Sequence, residues 1–363
     1  MSRSRDAIIF GLVAVFVSIG ALALLSASLG LFEADQSPLK LILRQLVVGL
    51  GLGAILFFIA DRIHYRFWHR TAFWIFLLSF LLTLLVFVPG VGFKSGGATR
   101  WIVLGPVFLQ PSEFLKIGFI VYLAAWLTSR GRDVESFQLG AGPLLLMILA
   151  VGAVFVKQPD LGTMGVITIS SLLLFFVGGG KMKHLGLIGI VLMALFAVVV
   201  YFKPYTLERL MVFLNPQYDI QGAGYQLHQA AIAFGSGGFW GKGFGHGVQK
   251  FNYLPEATSD AIFAVIGEEF GFAGALVLIL LFLLFLWRAL FILKKSPDVF
   301  ARLLGSGIVI LIIVQAFINM AALTGLLPLT GLTLPFISQG GSSLASMLAA
   351  VGILSNISKF RAS

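Results

Sequence analysis

Several ionisable residues of this hydrophobic chain lie close together in residues 249–260, directly before an apolar run at 261–266. Glu256 and Asp260 stand four residues apart there. A carboxylate at the point where a loop enters a membrane is partly desolvated, so its pKa rises and it suits a general base for a sugar hydroxyl. Aspartate is equally a good helix N-cap. The residues alone leave both roles open for Asp260. For Glu256 the alternative to a role in the site is a purely structural one.

Other ionisable residues lie inside or at the edges of apolar runs. Glu113 and Lys116, at positions i and i+3 of one run, can meet on one face of a helix. Charges inside a membrane are usually paired and functional, so this pair either belongs to a site or only fixes the helix. Lys157 and Asp160 flank a proline and are interfacial anchors or phosphate contacts. Arg100 closes a glycine-rich segment that we predict to lie outside the cell.

Two adjacent acids, Glu268 and Glu269, lie in the apolar run after Asp260. At least one must face protein, water or a partner, since two acids in lipid are costly. The glycine-rich segment 235–247 suggests a nucleotide loop, but Lys242 is followed by glycine instead of serine or threonine. We predict an irregular surface loop there. The five histidines lack metal-ligand spacing, so no zinc site is predicted.

The composition is that of a membrane protein. Of 363 residues, 59% are hydrophobic and 11% charged, and the mean hydropathy is +1.01. Apolar runs of about 20 residues match the hydrocarbon thickness of a bilayer, which predicts an all-α polytopic protein. The absence of cysteine excludes disulfides, cysteine-ligated zinc and thiol catalysis. A net charge of +10 reflects positively charged inner loops, and no nucleic-acid partner is expected.

The apolar runs predict about ten membrane spans in one domain over residues 1–363. Their starts lie near Ala7, Leu39, Thr71, Pro111, Gly142, Leu161, His184, Asp260, Leu303 and Gly341. Arginine and lysine concentrate in alternate connections, which places both termini in the cytoplasm. Three segments then lie outside: 90–110, 325–340 and a large extracytoplasmic loop at 203–259 between spans seven and eight. A loop of that length is more often functional than a mere connection.

Several inward-running spans begin with proline and an acid, as at Pro111 and Glu113 or at Pro159 and Asp160. Proline in the first turn loses no hydrogen bond, and an acid there interacts favourably with the helix dipole. Each site alone is explained by helix capping. Together, the positive helix ends at the outer surface could favour a polyanion such as a diphosphate.

A set of ordered motifs resembles one family. They are residues 110–116, 157–163, 213–216, 222–226, 235–238, 241–243, 254–260 and 331–338. Their residues, among them Leu254-Pro255-Glu256-Ala257-Thr258-Ser259-Asp260, are similar to those of the SEDS proteins (shape, elongation, division and sporulation), which include FtsW and RodA. The likeness covers nearly the whole chain. Residues 331–335 look closer to the FtsW branch, which favours cell division over elongation.

The resemblance implies a peptidoglycan glycosyltransferase of the cytoplasmic (inner) membrane. Such an enzyme polymerises lipid II at the outer face, beside a class B penicillin-binding transpeptidase and other divisome or elongasome membrane proteins. In that family the acid matching Asp260 is essential for polymerisation, and the residues matching Glu113 and Lys116 form a buried pair near the substrate cavity. The chain departs from the family at Ala261, usually phenylalanine, and at Gln339, usually tyrosine.

The expected reaction is inverting glycosyl transfer with a lipid-linked diphosphate as leaving group. Asp260 is the expected catalytic residue, either as general base or as ligand of a divalent cation, Mg²⁺ or Mn²⁺. The residues expected to bind substrate are Glu113, Lys116, Arg100, Lys157, Asp160, Glu256, Lys242 and Ser338. Two other functions remain open: a lipid II flippase with intramembrane charges along its path, and a scaffold for a transpeptidase without chemistry of its own.

Overall fold

The computed structural model of the protein describes residues 6–32, 41–43, 45–95, 98–105 and 107–361. Eight helices in this described part are long and apolar enough to span a membrane. The prediction of an all-α polytopic membrane architecture is thereby confirmed. The spans pack around one apolar core, because each presents buried side chains to its neighbours.

The described residues form twelve α-helices, which we number in chain order. Their bounds are Ala7–Ser28 (α1), Leu52–Arg62 (α2), Tyr65–Leu84 (α3), Pro111–Arg130 (α4), Gly142–Lys157 (α5), Leu161–Val177 (α6), Met182–Phe202 (α7), Pro204–Leu214 (α8), Tyr225–Gly237 (α9), Ile262–Leu293 (α10), Val299–Leu323 (α11) and Gly341–Ser358 (α12). One π-helical turn, Gln45–Gly51, precedes α2 and another, Phe137–Ala141, precedes α5.

Each of the ten predicted spans corresponds to a helix outside the segment 203–259. The third span begins at Tyr65 instead of Thr71, because the predicted start excluded charged residues that the helix includes in its first two turns. The ninth begins at Val299 instead of Leu303, since Asp298 caps it by accepting a bond from the amide of Ala301. The predicted start of the second span, Leu39, lies outside the described residues.

The outer segment 90–110 contains a small sheet that the all-α prediction missed. Strands Gly92–Ser95 (β1), Ala98–Leu104 (β2) and Val107–Leu109 (β3) pair antiparallel in the order β1-β2-β3. The strands are short, and β1 contains Gly92 and Lys94, residue types that are depleted in strands, so the strand signal in the sequence was weak. Strand β2 carries Arg100, one of the residues predicted to bind substrate.

The segment 203–259, predicted as a loop, is partly helical. It begins with α8 directly after α7 and contains α9, while residues 238–260 form turns. Both helices are too short to cross a bilayer at about 1.5 Å of rise per residue. They therefore lie at one end of the bundle and bring their side chains to the mouth of the cavity described below.

Two spans form the centre of the bundle, and one lies at its edge. Helices α11 and α12 are almost entirely buried, whereas α7 is almost entirely exposed. Helix α10 bends at Gly271, whose φ of 66° favours glycine. A Cβ at Gly271 would lie 2.4 Å from the amide nitrogen of Gly241, so the bend lets the loop after α9 pack onto α10.

The two ends of the chain meet. Arg361 lies 2.6 Å from Asp6, and Arg288, near the end of α10, lies 2.6 Å from the same carboxylate. Both termini therefore lie at one end of the bundle, as the charge pattern predicted. The opposite end carries the segments around Asp260.

Candidate active site

Asp260 lies just before α10 but does not cap it. The helix begins at Ile262, the residue before it is Ala261, and no side chain caps this end. The Asp260 carboxylate instead accepts a 3.2 Å hydrogen bond at Oδ1 from the Nε2 of Gln226 in α9. The N-cap alternative is therefore wrong, and the carboxylate is turned toward the segment between spans seven and eight.

The surroundings of Asp260 favour its protonated form. Burial raises the pKa of its carboxyl group to about 7, and the nearby charge of Glu256 acts in the same direction. The hydrogen bond from Gln226 and the positive charge of Arg209 oppose this rise. The side chain keeps partial solvent access. A carboxyl group that is reachable and has a pKa near neutrality suits proton transfer.

The backbone around Asp260 is bonded to the outer segment 325–340. The Nδ2 of Asn319, in α11, donates to the carbonyl oxygen of Asp260 at 2.8 Å and to that of Leu332 at 2.6 Å. Gly331, with a φ of 68°, lies so close that an added Cβ would be 3.6 Å from Asp260 Oδ2. The segment 325–340 is therefore one wall of the site.

Gln339, one of the two departures from the family pattern, also joins these segments. Its backbone amide donates to the carbonyl of Thr258 at 2.9 Å, and its Oε1 accepts a 2.7 Å hydrogen bond from the Thr258 hydroxyl. The other departure, Ala261, is fully buried. Gln339 thus contributes a side-chain link between the loop of Asp260 and the opposite wall.

An open cleft runs beside these walls. It consists of two adjoining cavities of about 640 and 1030 Å³, which share lining residues. The shared residues are Pro159, Leu161, Tyr205 and Thr206. The larger cavity is mostly apolar and reaches between α6, α7 and α11. Its charged lining residue is Arg209, while Arg100 and Lys203 line the smaller one.

Arg209 connects the cleft to Asp260. Its Nη1 donates to the carbonyl of Leu329 at 2.7 Å, and the guanidinium stacks over the ring of Tyr205 at 4.5 Å. This cavity-lining arginine is also near enough to Asp260 for its positive charge to lower the pKa of that carboxyl group. The cleft therefore offers an apolar chamber with cations at its rim and a carboxylate beside it.

Glu113 and Lys116 form the buried pair that their spacing predicted. Lys116 Nζ lies 2.9 Å from Glu113 Oε1 and donates to Gln315 Oε1 at 2.6 Å. Gln315 in turn donates to the carbonyl of Thr333 at 2.9 Å. Both charged side chains are almost completely buried, and Gln315 links them to the site wall at Thr333.

Glu268 and Glu269 hold the loop before Asp260. Glu268 accepts hydrogen bonds from the backbone amides of Val248 and Gln249 at 2.9 and 3.0 Å. Lys242, predicted to bind substrate, lies 2.7 Å from Glu268. These contacts confirm the prediction that at least one of the two acids faces protein, water or a partner. They also give Lys242 a structural partner.

Glu269 anchors the same loop through a second, deeper lysine. Lys250 Nζ donates to Glu269 Oε1 at 2.6 Å, to the Ser26 hydroxyl at 2.7 Å and to the Gly245 carbonyl at 2.8 Å. All three donors of the ammonium group are thus used. Since Ser26 belongs to α1, this contact joins the first span to the loop.

The other predicted substrate residues lie around the cleft without meeting at one point. Arg100 donates to the carbonyls of Gln158 and Pro159. The Lys157 ammonium group is exposed and lies 4.5 Å above the ring of Phe87. Asp160 is buried and caps α6 through Thr163. Arg100 and Lys157 keep donors available at the outer end, whereas the oxygens of Asp160 are engaged.

Two further predicted residues stabilise turns. Ser338 is buried, and its hydroxyl accepts a 2.8 Å hydrogen bond from the amide of Leu334. Glu256 is exposed, has a φ of 52° and accepts a 2.6 Å hydrogen bond from the Ser259 hydroxyl. Glu256 affects the site through its charge near Asp260, as described above.

The described residues contain no cluster of three or more metal-binding side chains. Mg²⁺, however, is often bound by one or two carboxylates together with phosphate oxygens of the substrate. Asp260, with Glu256 near it, supplies a donor set of that size. The chemistry of these residues therefore fits a divalent cation that arrives with a diphosphate.

The sequence interpretation did not single out four residues that shape this site: Gln226, Arg209, Asn319 and Gln315. Gln226 belongs to a motif used for the family resemblance, so a signal was present. Asn319 and Gln315 are amides one turn apart in an apolar span, where buried polar groups require partners. Arg209 had no signal beyond its place in a long outer segment.

Comparisons with known proteins agree with this arrangement. The family described as Cell cycle protein, named for FtsW, RodA and SpoVE, matches residues 6–363. Stage V sporulation protein E of Bacillus subtilis is 36% identical over 357 residues, 98% of each chain. The probable peptidoglycan glycosyltransferase FtsW of Trichlorobacter lovleyi is 38% identical over 354 residues, 97% of this chain and 93% of its own.

A solved structure shares the whole fold. A chain of a peptidoglycan synthase complex that coordinates polymerization and crosslinking has a TM-score of 0.82 at 31% identity, over 99% of this chain and 98% of that one. The family match and the fold thus extend over the same residues as the cleft and Asp260. The chain belongs to the SEDS family of FtsW, RodA and SpoVE proteins.

Proposed function

We propose that this protein is a peptidoglycan glycosyltransferase that polymerises lipid II at the outer face of the cytoplasmic membrane, for cell division or cell shape. It is a multi-pass membrane protein of a family whose relatives include probable peptidoglycan glycosyltransferases. The observation that carries the proposal is Asp260, a reachable carboxylate with a pKa near 7 beside an apolar cleft with cations at its rim.

In the proposed reaction Asp260 is the general base. Its carboxylate takes the proton of the acceptor 4-hydroxyl while that oxygen attacks the anomeric carbon of the donor sugar. The bond from the anomeric carbon to the diphosphate oxygen breaks, and its electron pair leaves with the lipid diphosphate. The product has inverted configuration, because attack and departure occur on opposite faces of the sugar ring.

The cleft fits the two chemical halves of such a donor. Its larger cavity, lined by apolar residues such as Ile169 and Phe196, suits a polyprenyl chain. Arg209 and Arg100 at the rim suit the diphosphate, because preorganised cations stabilise the charge that develops on the leaving group. Lys157 adds an exposed ammonium group at the same end.

Asp260 and Glu256 would hold a divalent cation if one enters with the substrate. Such an ion, Mg²⁺ or Mn²⁺, would supply further neutralisation of the diphosphate. The two carboxylates repel each other, as the raised pKa of Asp260 reflects, and a cation between them would relieve this repulsion.

A polymerisation assay tests the proposal. Purified protein receives lipid II and Mg²⁺ or Mn²⁺, with and without its transpeptidase. We expect wild type to form glycan chains and Asp260→Asn to lose roughly 100- to 10,000-fold in rate. Glu208→Gln, which neutralises an exposed acid on α8, is the matched control and should behave as wild type. Normal polymerisation by both Asp260→Asn and Asp260→Ser would remove Asp260 from the mechanism.

The proposed partner is a class B penicillin-binding transpeptidase, within a larger divisome or elongasome assembly. Support comes from the similarity to a chain of a solved peptidoglycan synthase complex. Co-purification of the two membrane proteins, with polymerisation measured before and after, tests this partnership.

Nothing in the described residues favours a flippase. The intramembrane charges that would line its path are Glu113, Lys116, Glu268 and Glu269, and all four are buried and paired. A flippase moves lipid II between the leaflets of vesicles without forming polymer, so a paired assay of lipid movement and polymer distinguishes the two functions. A scaffold would bind its partner while tolerating any residue at Asp260.

A further inference from the structure

A separate cavity with charged lining residues lies at the end of the bundle opposite the active site. It measures about 820 Å³ and opens between the start of α3, the end of α4 and the start of α11. Its lining residues are Arg66, His69, Arg70, Thr128, Asp298, Val299 and Phe300. Asp298 and Asn319 are 21 residues apart on one helix, so roughly 30 Å separate this cavity from Asp260.

The arginines of this cavity have hydrogen-bond donors that no acceptor among the described residues occupies. Within the described part of the chain no residue forms an ion pair or hydrogen bond with the guanidinium group of Arg70. Arg66 lies 4.0 Å from Asp298 with its side chain 70% exposed. The Asp298 oxygens are already engaged, one by the amide of Ala301 at 2.8 Å and the other by the Tyr65 hydroxyl at 2.7 Å. Cationic donors therefore exceed available acceptors here.

An aromatic surface continues from these cations toward the membrane centre. Arg66, His69, Arg70 and Phe73 lie at i, i+3, i+4 and i+7 of α3 and so share one face of the helix. Phe73 is half exposed, and its ring lies 6.3 Å from that of Tyr122 in α4. The stripe thus presents cations at the membrane edge and the exposed ring of Phe73 one to two turns deeper, with the partly exposed ring of Tyr122 beside it.

We propose that this cavity binds the phosphate headgroup of an anionic phospholipid from the cytoplasmic leaflet. The Arg66 and Arg70 guanidinium groups hold the phosphate oxygens, since arginine offers forked donors to such an anion. The acyl chains lie along Phe73 and Tyr122. Basic pockets between spans on the cytoplasmic side are suited to anionic headgroups. A free phosphate ion would use the same arginines but would gain nothing from the aromatic stripe.

Binding of phosphatidylglycerol to the purified full chain tests the site. In nanodiscs of zwitterionic lipid, titration with phosphatidylglycerol is followed by retained lipid in native mass spectrometry and by the melting temperature. Arg70→Gln should weaken the site roughly tenfold, as loss of a charge-assisted hydrogen bond to phosphate implies. The variant should fold normally in zwitterionic lipid, because this guanidinium group has no partner among the described residues.

A charge-matched control separates the site from general surface attraction. Lys295→Gln removes one positive charge from the same end of the bundle, outside the cavity. It should bind lipid as wild type does, whereas Phe73→Ser should weaken binding with both arginines kept. Equal binding by wild type and Arg70→Gln, or equal loss in the Lys295→Gln control, overturns the proposal. A melting shift of the same size with glycerol phosphate, which lacks acyl chains, also overturns it.

Discussion

Gln226 donates its side-chain amide to the carboxylate of Asp260 across 34 residues of sequence, at 3.2 Å. This bond joins the second residue of α9 to a carboxylate two residues before the start of the kinked span α10. It favours the ionised carboxylate, while burial and Glu256 oppose ionisation. The basicity of Asp260 therefore depends on how the outer segment packs on the membrane bundle.

The rate of polymerisation should fall as the pH drops through the pKa of Asp260. A general base must be ionised to accept a proton, and the pKa of this carboxyl group lies at about 7. Below that value the group is protonated, so kcat/KM should decline about tenfold for each pH unit. A pH profile of initial rates at subsaturating lipid II measures this decline of kcat/KM on the acid side. A flat profile from pH 5 to 8, with the protein folded throughout, would contradict the role.

Substitutions of two residues beside Asp260 should move the pH at which the rate declines, in opposite directions. Glu256→Gln removes a negative charge that raises the pKa of Asp260, so the decline should shift to lower pH. Gln226→Leu removes a hydrogen bond that lowers the pKa, so the decline should shift to higher pH. Comparing the two pH profiles with that of wild type measures both shifts. A purely structural defect would lower the rate without moving the midpoint, and shifts of the same sign would refute this account.

The loop before Asp260 should loosen when its deep anchor is removed. Lys250→Met leaves the Glu269 carboxylate buried without its cation, a loss of roughly 3 kcal/mol. We expect faster hydrogen exchange in residues 241–259 and a lower melting temperature. Lys242→Met is the control, because this lysine is 30% exposed and Glu268 keeps two backbone amides. An equal effect of both substitutions would show that depth of burial does not decide the anchoring.

Membrane architecture was largely predictable from the sequence, because a 20-residue apolar run has few alternatives in a bilayer. Helix starts were less predictable where charge belongs to the helix, as at Tyr65. The spacing of Glu113 and Lys116 was enough to predict their contact. Local rules give such pairs because both partners lie on one helix.

The partners of Asp260 could not be predicted in the same way. Gln226, Asn319 and Gly331 come from three separate segments, and their approach depends on how the spans pack. Residue-level rules offered helix capping as a role for Asp260, and only the packing of α9 excludes it. Asp160, which directly follows Pro159, does cap its helix. Two aspartates that precede apolar spans therefore have different structural roles.

The ion pairs of Asp6 with Arg288 and Arg361, which hold the two chain ends together, should be sensitive to acid. Burial opposes ionisation of Asp6, but hydrogen bonds from Arg288 and Arg361 outweigh it and lower the pKa to about 2 from 3.8. The ionised Asp6 therefore stabilises the folded state by at most about 2 kcal/mol. This stabilisation is present above pH 4 and is lost as the pH falls toward 2. Asp6→Asn should therefore lower the melting temperature at pH 7 and have little effect near pH 2. An equal loss at both pH values would show that packing, not charge, stabilises the contact between the chain ends.

The buried pair of Glu113 and Lys116 should show strong coupling in a double-mutant cycle. Glu113→Gln or Lys116→Met alone leaves a charge in a site that water does not reach, at a cost of roughly 3–5 kcal/mol. The double variant leaves no buried charge, so it should lose less stability than the sum of the two singles. The exposed pair of Glu135 and Lys181 is the control, since its coupling should stay below about 1 kcal/mol. Unfolding in detergent measures all four corners of each cycle, and additive losses at the buried pair would mean that Gln315 and the surrounding hydroxyls stabilise each charge independently.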